Sequence, residues 1–335
     1  MSDMSSPLVR FIEGRPVVLH NNQAVSQAAY SDYINWSEGY EDRIREFAES
    51  GVKVFHVAPH PGEIAAWWGF PDKGREMIKG WASRRTIAQQ VEVILRYCPE
   101  AKLVIRPTST VAEEWGKQYP DDMQTDEDGN HYHDATLASP WYLQEIDRVF
   151  REIVRGCESQ PWGERIIGYL DAPRGEGAMP LTIAGKMFDC SPANEKAFRA
   201  WVHARYASEE ALRAAWDDPA ISFKTVYAPR DRDWLARKVA GPATLKGEPI
   251  PAASLPTNAG VPASGLFHWI EAVNALVEHD YCRFQREAFL HKFRTIARAV
   301  KGAAAEFGRE RMVGFDITKQ PLMGWQILTS FDGIG

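Results

Sequence analysis

Apolar positions recur along this chain in a fixed order. A short β-branched run is followed by a stripe at helical spacing, then a glycine or proline stop. Arg15 to His20 (RPVVLH) is the first strand candidate, and a long polar stretch follows it. Glu41 to Ser50 predicts a helix that stops at Gly51. VKVFHVAP then supplies a second strand, ended by proline. A helix from about Ser83 to Cys98 carries Ile87, Val91, Ile94 and Leu95 at i, i+4, i+7 and i+8, with Ser83 as its cap. Lys102 to Pro107 is the third strand. Strand, helix, strand is the rhythm of a parallel sheet.

The segment from Ser109 to Ala138 is a long loop, and its DEDGNHYHD stretch predicts a turn-rich hairpin. Ser139-Pro140 opens a helix with the stripe Tyr142, Ile146, Val149, Ile153. Arg165 to Leu170 is the fourth strand and runs into DAPRGEG. Ser191-Pro192 opens another helix, and Glu209 to Trp216 forms a second helical piece. Asp217 to Ala263 is rich in Pro, Gly and Ala, which marks a long insertion. A long helix or helix pair spans Phe267 to Phe307, and Met312 to Ile317 is the fifth strand.

Five successive βα units predict an α/β protein of the (β/α)8 TIM-barrel class, of which this chain supplies about the first five. The domain expectation is one N-terminal part of a single catalytic barrel over 1–335, with an insertion at about 217–265. An open parallel sheet leaves a raw edge and an uncovered interior face. Completion by further C-terminal sequence or by a partner chain is therefore expected.

Composition narrows the function classes. The 335 residues are 44% hydrophobic and 25% charged with a net charge of −6, so no basic surface for nucleic acid is expected. No apolar run is long enough for a membrane span and the first residues lack a signal peptide's apolar core, so a cytoplasmic protein without membrane partners is expected. The four cysteines, Cys98, Cys157, Cys190 and Cys282, form no CxxC pair. His131 and His133 form HxH, and His56 and His60 form HxxxH, but neither sits in HExxH, so no metal and no cofactor is expected. No GxGxxG follows the first strand. The chain holds 12 Trp, several in loop-like segments, including Trp36, Trp67, Trp68, Trp81, Trp115, Trp141 and Trp325. Aromatic rings in a cleft suit sugars, whose C–H faces are apolar while their edges need hydrogen bonds.

The stretch VIRPTSTVAEEWGKQYPDDMQTDEDGNHYHDATLASPWY resembles the third-strand region of family 42 glycoside hydrolases, the β-galactosidases. Its marks are Pro107-Thr108 (in reversed order), Trp115, Tyr119-Pro120, Asp128-Gly129 and Ser139-Pro140. The stretch CSPANEKAFRAWVHARYASEEALRAAWDDP is similar to that family's helix pair after the acid, through Phe198, Trp201, Tyr206, Leu212 and Trp216. The resemblance covers about Pro16 to Phe315. It implies a retaining glycosidase acting on β-galactosides or related small glycosides, with a small carbohydrate as its partner and a homo-oligomer as an open option. It also implies a general acid/base after the fourth strand and a nucleophile after the seventh, beyond Gly335. The family's acid follows an Asn as an Asn-Glu pair. This chain reads Leu170-Asp171-Ala172-Pro173-Arg174-Gly175-Glu176-Gly177 instead, like divergent relatives whose strand runs into Gly-Glu.

Retaining hydrolysis uses two carboxyl groups about 5–5.5 Å apart, one as nucleophile and one as acid then base. Glu176 is the acid/base candidate, since it follows a barrel strand at the end where activity collects. Asp171 is its rival; an Asp there equally serves to orient Arg174. Candidate sugar contacts are His20 and Asn22 after the first strand, His56 on the second, and Arg106 on the third. Trp115 is the candidate sugar platform, and Asp316 and Trp325 lie after the fifth strand. Each has a bland alternative as a packed or ion-paired structural residue. Two other function classes stay open: a carbohydrate-binding barrel without catalysis, and another barrel enzyme using a lysine or a metal, for which Lys319 is the nearest lysine.

Overall fold

The structure is a computed structural model that describes residues 8–20, 23–25, 28–32, 35, 37–71, 84–171, 188–230 and 276–315. The described residues fall into two compact units. One holds those within Met1–Glu114, Glu145–Pro173 and Thr295–Asp316. The other holds those within Trp115–Gln144, Arg174–Arg294 and Ile317–Gly335.

The first unit opens with an antiparallel sheet of β1 (Leu8–Ile12), β2 (Arg15–His20) and β3 (Gln23–Ala24). Ile12 faces Arg15 across a two-residue turn in which Glu13 and Gly14 take φ of 51° and 75°. Positive φ at both central residues is the hairpin geometry that matches strand twist. RPVVLH is therefore a strand, as its residues predict, but it belongs to this hairpin and not to the parallel sheet. A β-branched run reads the same in either setting, and a glutamate at the first turn position hides the turn.

The first parallel strand is instead β4 (Ala29–Ser31), three residues inside the stretch that reads as polar loop. It is followed by α1 (Tyr40–Glu49), β5 (Val54–Val57), α2 (Pro61–Trp67), α3 (Ile87–Tyr97) and β6 (Lys102–Ile105). Beyond these lie α4 (Glu113–Gln118), the hairpin β7 (Met123–Thr125) and β8 (His131–Ala135), α5 (Pro140–Glu158) and β9 (Ile166–Asp171). The chain continues through α6 (Pro192–Arg205), α7 (Glu209–Trp216), α8 (Leu276–Ala305) and β10 (Met312–Phe315). The parallel sheet has the order β10-β9-β6-β5-β4, and every neighbouring pair is parallel. Each strand lies beside the next parallel strand in sequence with helix between, which is five βα units of a partial (β/α)8 barrel.

Local chemistry explains the helices. Thr86 and Gln89 close a reciprocal capping box that starts α3, three residues after the expected cap at Ser83, which lies outside the described residues. His60 and Glu63 do the same for α2. Ser139 Oγ accepts the Tyr142 N–H at the start of α5. Its stripe Tyr142, Ile146, Val149 and Ile153 is buried throughout. Gly51 and Gly308 terminate α1 and α8 with φ of 90° and 66°. The core of the first unit is the sheet itself: Phe55, Val57, Leu103, Ile105 and Ile166 are fully buried.

In the second unit Phe198, Val202, Leu212, Val226, Tyr281 and Phe284 form one apolar cluster. Buried Asp189 takes N–H bonds from Ser191 and Thr125, and burial raises its pKa above the ordinary carboxylate value. Tyr281 Oη donates to the Asp189 carbonyl at 3.2 Å, so the segment Phe188–Ser191 is fixed against α8. Of the insertion expected at about 217–265, residues 231–265 lie outside the described residues. Among the described residues no helix is long and apolar enough to cross a membrane, and no group of three His, Cys, Asp or Glu could hold a metal ion.

Candidate functional site

The C-terminal ends of parallel strands carry the polar groups of the first unit. Register aligns Ser31 of β4 with His56 of β5, and His56 with Val104 of β6. Two residues on, Arg106 extends the ladder by donating its N–H to the Val57 carbonyl at 2.7 Å. Its side chain turns to β4, where Nη1 donates to Ser31 Oγ at 2.8 Å. Arg106 is buried, so this contact fixes a guanidinium at the rim of three adjacent strands.

Asp171 closes β9 and is 1% exposed. Its Oδ1 accepts the Ser109 N–H at 2.9 Å and its Oδ2 accepts the Ser109 hydroxyl at 2.9 Å. The carboxylate thereby ties the loop after β6 to the end of β9. Register also aligns Asp171 with Phe315 of β10. On the β4 side, Asp32 Oδ2 accepts from Tyr30 Oη at 3.0 Å and from Arg43 Nε at 2.9 Å. Glu63 accepts the N–H of His60 at 2.6 Å and of Ile87 at 3.2 Å. Burial raises its pKa, and those two N–H bonds oppose the rise.

Three of the sequence candidates, His56, Arg106 and Asp171, lie at or near the C-terminal ends of neighbouring parallel strands. His20 is placed elsewhere. It ends β2 of the antiparallel sheet, and its pKa is lowered to about 4 by burial and by the charges of Lys102 and Arg311. Lys102 begins β6 and Arg311 precedes β10, so these charges mark the N-terminal ends of the parallel strands, opposite to the rim. The reason is the hairpin: His20 follows no barrel strand.

Trp115 is also not where a sugar platform would be. It is 2% exposed, with its ring against Tyr119 at 4.9 Å and Tyr142 at 6.3 Å. Asn22, Glu176, Asp316 and Trp325 lie outside the described residues. Ser31, Asp32, Arg43 and Ser109 were missed by sequence reasoning. Serines and an aspartate in polar loops carry no pattern, and only the cross-strand register gives them partners.

A parallel sheet with helices between its strands and polar groups at its C-terminal strand ends is the architecture of a partial (β/α)8 barrel. Solved structures share that fold at low identity. The β-galactosidase of the psychrophilic Marinomonas ef1 superposes with a TM-score of 0.54 at 14% identity, over 86% of this chain and 36% of that one. The catalytic domain of β-amylase from Paenibacillus polymyxa gives 0.55 at 16%, over 87% of this chain and 67% of that one. The β-galactosidase of Rahnella sp. R3 gives 0.50 at 15%, over 93% and 37%. The chain therefore spans about a third of the length of these β-galactosidases. No family model and no curated protein matches the sequence.

Proposed function

We propose that this chain carries the acid/base half of a retaining glycoside hydrolase acting on β-galactosides or related small glycosides. The observation that carries the reading is the rim itself. Asp171 is buried and bonded to Ser109 at the end of β9, and Glu176 follows it by five positions in the sequence. The likeness of fold to enzymes named as β-galactosidases and a β-amylase supports the sugar chemistry.

In this reading Glu176 gives its proton to the glycosidic oxygen as the bond to the anomeric carbon breaks. A second carboxylate takes the anomeric carbon, and Glu176 then removes a proton from the water that releases the sugar. That second carboxylate belongs to a strand beyond the five described. Arg106, held by Ser31, and His56 are the proposed hydrogen-bonding groups for sugar hydroxyls on this rim. Asp171 holds the loop after β6 through Ser109 and transfers no proton.

Glu176→Gln tests the assignment. Hydrolysis of glycosides with poor leaving groups should fall by about 10²-fold or more, and aryl glycosides with good leaving groups should suffer less. Equal and negligible losses on both would remove Glu176 from the mechanism.

A further inference from the structure

The aromatic residues around Trp115 form a ladder that runs from the core to the surface. Trp115 and Tyr142 are buried at 2% and 3% exposure. Tyr119 stands 4.9 Å from Trp115, and Trp141 stands 5.5 Å from Tyr119. Trp141 is 36% exposed and is the one large apolar side chain in 115–144 that reaches this far into solvent.

Both outer rings sit on constrained backbone. Tyr119 precedes Pro120 of a short 3-10 turn, and Trp141 follows Pro140 in the first turn of α5. Ser139 caps that turn through Tyr142 N–H and donates its hydroxyl to Asp122. A constrained backbone lowers the ordering cost when a ligand covers the ring. The exposed polar side chains along 117–121 and 140–144 are Lys117, Gln118, Asp121 and Gln144. Two amides, one carboxylate and one ammonium suit a neutral, hydroxyl-rich ligand, and a single lysine is too little for a polyanion. One ring pair is far short of the roughly 800 Å² per partner that a stable protein interface takes.

We propose that the Trp141 ring, backed by Tyr119 at an interplanar angle of 57°, is a stacking platform for one pyranose ring of a glycan chain. The C–H face of the sugar would cover the Trp141 ring, and its hydroxyls would meet Gln118, Asp121 or Gln144. The platform rests on the glycoside-hydrolase reading and narrows its substrate to chains of sugar units.

Affinity electrophoresis in native gels containing dissolved β-1,4-galactan or soluble starch tests it. The wild-type protein should be retarded in at least one polymer. Trp141→Ala should weaken that binding by about tenfold, the effect of one lost ring contact. Trp141→Phe should restore most of it, which a general loss of folding would not allow. A wild-type protein retarded by neither polymer, or a Trp141→Ala variant retarded as strongly as wild type, overturns the platform. Parallel assays of the wild type on 4-nitrophenyl glycosides separate the two ideas. With the second carboxylate present on the assayed protein, retardation without hydrolysis overturns the hydrolase reading and leaves the platform standing, and hydrolysis without retardation does the reverse.

Discussion

Asp171 and Glu176 are close in sequence, and a local reading gives both the same chemistry. The surroundings of Asp171 give it a structural task. Both oxygens of Asp171 are occupied by the N–H and the hydroxyl of Ser109. Asp171→Asn keeps one oxygen for the N–H, and the Ser109 hydroxyl can turn to accept from the new amide. The variant should fold and should lose less activity than Glu176→Gln. If it loses hydrolysis as completely, Asp171 is itself the catalytic acid. Asp171→Ala removes two buried hydrogen bonds and should cost about 2–4 kcal/mol in urea unfolding. The sequence pointed to Asp171 through its place at a strand end, but it gave no sign of Ser109, whose contact spans 62 positions.

At the scale of elements, helices were the most legible. The stripe of α5 and the bounds of α7 agree with the pattern, because helical burial repeats within a few residues. Strand placement was less so, since three-residue β4 carries no alternation to read. The last strand is held by a contact that is also invisible in sequence. Glu158, at the end of α5, is fully buried and meets Arg311 through 2.7 and 2.9 Å bonds. It also accepts from Arg309 at 2.8 Å and from Tyr169 Oη at 3.0 Å. Glu158→Ala strands a buried guanidinium beside β10 and should cost about 3–5 kcal/mol, read from the unfolding midpoint. Salt should change the wild-type value little, since the pair is shielded from solvent. Removing the exposed Arg155–Glu306 pair should leave the midpoint unmoved. Equal effects of the two removals would contradict the burial argument.

For the whole molecule, His20 makes stability depend on pH. Its folded pKa of about 4 lies below the ordinary value of 6.5. Between those values the unfolded chain binds a proton that the folded chain refuses. Stability should therefore be full above the ordinary value and fall as pH drops toward 4, by at most about 3 kcal/mol. Urea unfolding of wild type and His20→Gln at pH 7 and at about pH 4.5 measures this. A shallower loss in the variant is expected, and parallel curves would show that His20 is not the group responsible.

The sequence by itself determined the class of the fold and the order of most of its parts. Four of the five parallel strands, the long helices and the turn at Gly129 are local facts, set by periodicity, capping and backbone freedom. Tertiary structure decided which strand pairs with which, and so moved His20 away from the rim and put Ser31 beside Arg106. It also decided which tryptophan is covered: Trp115 and Trp141 read alike in the chain, but one lies under Tyr119 and Tyr142 and the other faces water. Pairing and burial depend on neighbours far along the chain, and no local pattern carries that information.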